Sequence, residues 1–162
     1  MPAMRIRLAA LALALVASMP STASADATAF LGRNAGGDDR SVTRGFAISA
    51  SLLIVGFEFE YANASENQTD ARPSLRTTSG NVFLQTFGLP GFQLYATTGA
   101  GIYRERLGND QESAFLLNNG GGIKISLAGP LRVRVDYRVF TLKGNPRHST
   151  VQRIYAGLNL AF

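Results

Sequence analysis

The 162-residue sequence contains no cysteine, which excludes disulfides, thiolate metal sites and a cysteine nucleophile. A small exported domain without disulfides must find its stability elsewhere. Histidine occurs once, as His148. No helix-period segment appears after residue 25, so a helical fold is not expected. The apolar run Leu8 to Ala17 is about half the roughly 20 residues that a membrane-spanning helix requires. Charge is not one-sided either: sixteen Lys and Arg stand against eleven Asp and Glu, with no continuous basic run. That composition gives no reason to expect a nucleic-acid partner.

What is present begins with an export signal. Arg5 and Arg7 precede the apolar run, and small residues follow, ending in Ala23-Ser24-Ala25. This arrangement predicts a signal peptide over residues 1–25, cut after Ala25, leaving a single domain over 26–162. Losing two arginines leaves fourteen basic and eleven acidic residues, a net charge of +3.

The remainder alternates with period two, the mark of strands with unlike faces. Eight strands are predicted, over 27–34, 43–53, 55–63, 78–87, 92–104, 114–127, 131–141 and 150–162. The connections after the odd strands are long and polar: Asn34 to Arg40, Asn63 to Arg76, Arg106 to Glu112 and Lys143 to His148. Those after the even strands are short, at Ile54-Val55, Gly88 to Gly91 and Ala128 to Pro130. Long loops at one end and tight turns at the other are the habit of outer-membrane barrels.

Strand seven shows the two faces most clearly, with Leu131, Val133, Val135, Tyr137 and Val139 on one and Arg132, Arg134, Asp136 and Arg138 on the other. A soluble barrel turns its apolar face inward, whereas a membrane barrel turns it out. Alternation alone does not separate the two. The glycines favour the membrane, because Gly99, Gly101, Gly120, Gly122 and Gly157 share the polar face with Tyr95, Tyr103 and Tyr155. A narrow interior needs small residues beside large ones, and a solvated exterior does not. Phe57, Phe59, Phe92, Tyr137 and Phe162 fall on the apolar face, as interfacial girdles would. The fold expected is an all-β, eight-stranded antiparallel up-and-down transmembrane barrel. The alternative is a soluble periplasmic lipocalin-like barrel binding a small apolar ligand.

The last predicted strand carries Ile154, Ala156, Leu158, Leu160 and Phe162 at alternate positions. A terminal phenylalanine after alternating apolar residues resembles the C-terminal signal of bacterial outer-membrane proteins, which the barrel-assembly machinery reads. With the signal peptide and eight strands, the chain resembles the OmpA-like family of small outer-membrane β-barrel domains. The resemblance implies Ile154, Leu158, Leu160 and Phe162 as assembly signal and a place in the bacterial outer membrane. It implies outer-membrane lipids, lipopolysaccharide and the assembly machinery as partners of a monomer, without a cofactor. A periplasmic peptidoglycan-binding domain after the barrel is not expected, so attachment to the cell wall is not carried over.

If the apolar face meets lipid, Glu58, Glu60, Glu105, Lys124, Arg132, Arg134, Asp136, Arg138 and Arg153 point inward. Five bases and four acids in a narrow lumen should pair, since an unpaired buried charge is costly. The resemblance implies a carboxylate–arginine network of the same kind. Such a network reads first as a plug of salt bridges, second as a gate or narrow ion path and third as a binding pocket at the outer mouth, which leaves at most a weak pore or a surface-interaction role. By the same logic an Asp at Val135, facing lipid, should do more harm than one at Arg134. Catalysis is not expected. Some barrels of this size modify lipid A with a His, a Ser and a carboxylate near the rim, but here His148 is followed by Ser149 and then Thr150, without the His-x-Ser spacing. Asn109 to Glu112 lacks the spacing and glycine of a calcium loop, so no metal is expected.

Overall fold

A computed structural model describes residues 23–67, 69, 71–86 and 89–162. Residues 1–22 of the expected signal peptide lie outside the described residues, while Ala23 to Ala25 begin the first strand. Eight antiparallel strands follow one another as β1 (Ala23–Gly36), β2 (Asp39–Leu52), β3 (Val55–Ala64), β4 (Ser74–Gln85), β5 (Phe92–Leu107), β6 (Asp110–Ala128), β7 (Leu131–Leu142) and β8 (Thr150–Ala161). Each pairs with the next, and β1 pairs with β8 to close a barrel. Closure leaves no sheet edge, so every strand finds its backbone partners inside the sheet, as a lipid environment demands. The seam is extended by Ala25 and Phe162, whose backbone N–H and C=O groups exchange two bonds of 2.9 Å.

The register fixes the barrel's pitch. A row of directly paired residues runs from Ser113 on β6 through Arg104, Arg76, Asn63, Arg44, Leu31, Ala156 and Val135. It returns to β6 at Ile123, ten residues from its start. The strands are therefore strongly tilted, and eight of them enclose an interior just wide enough for side chains to fill.

The connections differ from the expectation at one end. Asn34 to Arg40 and Arg106 to Glu112 are strand residues apart from the tips Gly37-Asp38 and Gly108-Asn109. Both glycines take positive φ, +55° and +60°, which a hairpin tip needs and glycine adopts without strain. Polarity alone had marked these segments as loops. Paired strands continuing into water can be as polar as loops. Only 65–73 and 143–149 are longer connections at this end. The opposite end holds β1's start, β8's end and the connections Leu53-Ile54, 86–91 and Gly129-Pro130.

The faces are inverted relative to a soluble protein. Leu31, Ile48, Phe57, Val82, Ile102, Phe115, Leu127 and Leu158 are exposed on the outer wall. Glu58, Glu60, Arg134, Asp136, Arg138 and Arg153 are buried within. Water would penalise the first set and welcome the second, and a hydrocarbon solvent reverses both preferences.

Candidate functional site: the sealed lumen

The lumen is filled in layers. Nearest the end that holds the termini, Asp26 accepts Lys124 Nζ at 2.6 Å, Ser49 Oγ at 2.8 Å and Asn159 Nδ2 at 2.8 Å. Lys124 also lies 5.4 Å from the ring centre of Phe83, so its charge meets a carboxylate and an aromatic face.

The middle layer is built by β3 and β7, which lie across the barrel from one another. Glu58 receives Arg134 Nη1 at 2.5 Å on one oxygen and Arg138 Nη2 at 2.6 Å on the other. Asp136 receives Arg134 Nη2 and Arg138 Nε, both at 2.9 Å. The Tyr95 hydroxyl donates to Asp136 and accepts Arg134 Nε at 2.7 Å. Asn81 Nδ2 adds a bond of 3.3 Å to Glu58. Two carboxylates and two guanidiniums thus hold each other in a box, which offsets the cost of removing them from water.

Above it, Glu60 takes Arg153 Nη1 at 3.0 Å and the Tyr155 hydroxyl at 3.2 Å. Arg138 Nη1 approaches it at 3.2 Å. Arg153 spends its other nitrogens on Asn34 Oδ1 at 2.8 Å and Thr77 Oγ1 at 3.0 Å. Among the described residues, the buried charged side chains are four acids (Asp26, Glu58, Glu60, Asp136) and four bases (Lys124, Arg134, Arg138, Arg153).

An apolar cap then closes the loop end. Ala64, Leu75, Tyr103, Leu116, Phe140, Leu142 and Val151 form one apolar cluster inside the barrel. Arg153 stacks on it, 4.4 Å from the Phe140 ring centre. The Tyr103 hydroxyl bonds the carbonyl of Lys143 at 2.6 Å and so ties the cap to the last loop. Outside the cap, Asp39 binds Arg147 Nε at 2.8 Å and His148 Nε2 at 2.9 Å, joining that loop to the first hairpin.

Seven of the nine residues assigned to the lumen by the sequence meet there. Glu105 does not: it is half-buried at the loop rim, where one oxygen accepts the backbone N–H of Arg147 at 3.0 Å. Arg132 does not either: it is half-buried at the opposite rim and has no ion pair among the described residues. Asp26 joins the seven in the lumen although it stands next to the expected cleavage site and before the expected strand, a place that by itself gives no sign of a lumenal role. Its alternation with Thr28 and Phe30, all three buried, was the available signal. The inward glycines keep their expected role. A Cβ at Gly122 would collide with the Tyr95 hydroxyl, and one at Gly120 with the Arg138 side chain. Ile154, Leu158, Leu160 and Phe162 are all exposed on the outer wall.

No protein-family model matches the sequence, and no curated protein matches it. Solved structures do share the fold. Neisserial surface protein A superposes with a TM-score of 0.66 at 13% identity, covering 88% of this chain and 98% of that one. The N-terminal β-barrel domain of Pseudomonas aeruginosa OprF gives 0.61 at 17% identity, covering 85% and 97%. The outer membrane enzyme PagL gives 0.53 at 13% identity, covering 83% and 98%. The chain thus has the architecture of small eight-stranded outer-membrane barrels.

Proposed function

We infer that the chain is a structural integral protein of the bacterial outer membrane, a sealed barrel rather than a pore. One observation carries this reading: the wall is apolar outside, while four acids and four bases are buried inside in mutual ion pairs. The membrane is the solvent that makes such an arrangement favourable, and a lumen filled by side chains leaves no water path. The loop end faces outward and the turn end faces the periplasm, by the usual sorting of connections. Residues 1–25 serve as the export signal, and OmpA-like family membership fits the architecture.

The protein is read as a non-enzyme, although the outer membrane enzyme PagL uses the same architecture. His148 Nε2 lies 2.9 Å from Asp39 Oδ2, the same oxygen that Arg147 Nε meets at 2.8 Å, and this cluster ties two loops together. The experiment is cell fractionation combined with protease treatment of whole cells. A protein that needs detergent for release from outer-membrane fractions and is cut within 143–149 on intact cells supports the reading. A freely soluble periplasmic protein overturns it and restores the lipocalin-like alternative.

A further inference from the structure

The outward faces of the strands are apolar or neutral except at six positions, all arginine: Arg33, Arg40, Arg44, Arg76, Arg104 and Arg106. Every strand carboxylate among the described residues shares the inward-pointing parity instead. The six are also one-sided. They lie on β1, β2, β4 and β5, and none lies on β6, β7 or β8.

Three of them stand in one cross-strand row. Arg76 pairs directly with Arg104, and Asn63 separates Arg76 from Arg44. Like charges directly opposite one another destabilise a sheet. Strand spacing puts Arg44 and Arg76 about 10 Å apart and Arg76 and Arg104 about 5 Å apart at the backbone. None of the three has an ion pair among the described residues, and Arg104 meets only the Ser113 hydroxyl at 3.4 Å. Such a row asks for a multivalent anion from outside the protein, and guanidinium forks match phosphate oxygens.

The surroundings define the rest of the ligand. Next to Arg44 along β2 is the aromatic pair Phe46 and Tyr61, with ring centres 5.6 Å apart, placing the row at the edge of the apolar belt. A groove of about 860 Å³ opens on the same outer wall. Arg44 and Asn63 line it with Phe46, Tyr61, Leu31 and Leu158, and the small side chains of Ala29 and Ala156 leave the trough. The groove is apolar apart from its arginine-bearing rim, so it fits a hydrocarbon chain whose headgroup is anionic.

We propose that this wall is a binding site for a phosphorylated, acylated lipid of the outer leaflet, the lipid A part of lipopolysaccharide. Arg44, Arg76 and Arg104 hold its phosphates, and an acyl chain lies along the groove between Phe46 and Leu158. The inference rests on the outer-membrane placement above but not on the lumen being sealed.

The test uses the purified signal-free chain, folded in non-ionic detergent, with native mass spectrometry as readout. The probes are lipid A, enzymatically dephosphorylated lipid A, phosphatidylglycerol and inorganic pyrophosphate. The wild type should retain lipid A at least about tenfold better than the dephosphorylated form or phosphatidylglycerol, the scale of one lost charged hydrogen bond. The combined Arg44→Gln, Arg76→Gln and Arg104→Gln variant should lose that preference. The corresponding lysine triple, which keeps charge but not the fork and so guards against a folding defect, should bind at an intermediate level. Ala29→Trp with Ala156→Trp, filling the groove, should weaken lipid A binding further than pyrophosphate binding. Equal retention of phosphorylated and dephosphorylated lipid, or of lipid A by the wild type and the glutamine variant, overturns the proposal. Phosphatidylglycerol bound as well as lipid A would show a generic anionic interface, and pyrophosphate bound as tightly would show a free-phosphate site. Either result also overturns it. A protein that fractionates with the outer membrane yet shows no such preference sinks this inference alone.

Discussion

Arg134, on β7, reaches across the lumen to Glu58, on β3, with Nη1 to Oε2 at 2.5 Å. This contact joins opposite walls of the barrel at a level where both side chains are almost wholly buried. Glu58 also serves Arg138, so it is the one carboxylate that meets both central arginines from the far wall.

Removing Glu58 is therefore the sharpest test of the plug. Glu58→Ala leaves Arg134 with Asp136 as its one carboxylate partner, and a buried ion pair broken from one side costs about 3–5 kcal/mol. Urea unfolding in lipid vesicles should register that loss. In planar bilayers the wild type should be closed, and Glu58→Ala should admit water and raise the frequency of small openings. Steady, porin-like conductance from the wild type would be incompatible with a sealed lumen.

A carboxylate at Arg134 should be more damaging than one at Val135. From the sequence alone the reverse order is expected, because a charge facing lipid is costly and a charged lumen looks tolerant. The geometry changes the ranking. Arg134 bonds Glu58, Asp136 and Tyr95 where all the partners are buried, so Arg134→Asp would crowd three carboxylates together. Val135→Asp faces lipid, where even Arg or Lys costs on the order of 2–4 kcal/mol at the midplane and Asp less. Side-by-side unfolding of the two variants in vesicles decides the order.

The apolar cap should matter independently of the ion pairs. Phe140→Ala removes the ring on which the Arg153 guanidinium rests and opens the cluster with Leu116 and Leu142. A truncation of this kind costs about 3–5 kcal/mol. Hydrogen exchange at the backbone of Tyr103 and Leu116 should quicken. Unchanged protection there would show that the cap does not exclude water.

Phe162 should be needed for insertion and not for export. Its side chain is 75% exposed on the outer wall, so it adds nothing to the interior. Phe162→Asp should leave signal cleavage intact and deplete the protein from outer-membrane fractions. Wild-type recovery from those fractions would remove the case for an assembly signal.

Much of this architecture was readable in the sequence, because a strand between lipid and a charged lumen writes both environments into alternate residues. Leu131 to Val139 is the plainest example. The pattern weakens wherever one environment gives way to another. Leu116, Phe140, Leu142 and Val151 are apolar yet point inward, and they share parity with Asn118, Arg138 and Arg153. Alternation has no means of separating an apolar lumenal layer from a lipid face. Arg76 and Arg106 failed in the opposite way: lying beyond the expected strand ends, they read as loop charges, although paired backbone carries them on the wall. Tyr95 and Tyr155 were legible as bulk beside glycine, but their hydroxyls, which complete the bonding of Asp136 and Glu60, were not.

The balance of four buried acids against four buried bases also limits what could drive the barrel open. A membrane potential does work only on net charge displaced through its field, about 2.3 kcal/mol per elementary charge for each 100 mV. A network that sums to zero gives the field no handle when it shifts as a unit. Any opening of this lumen should then be nearly independent of voltage and answer instead to agents that break individual pairs, such as acid or concentrated salt.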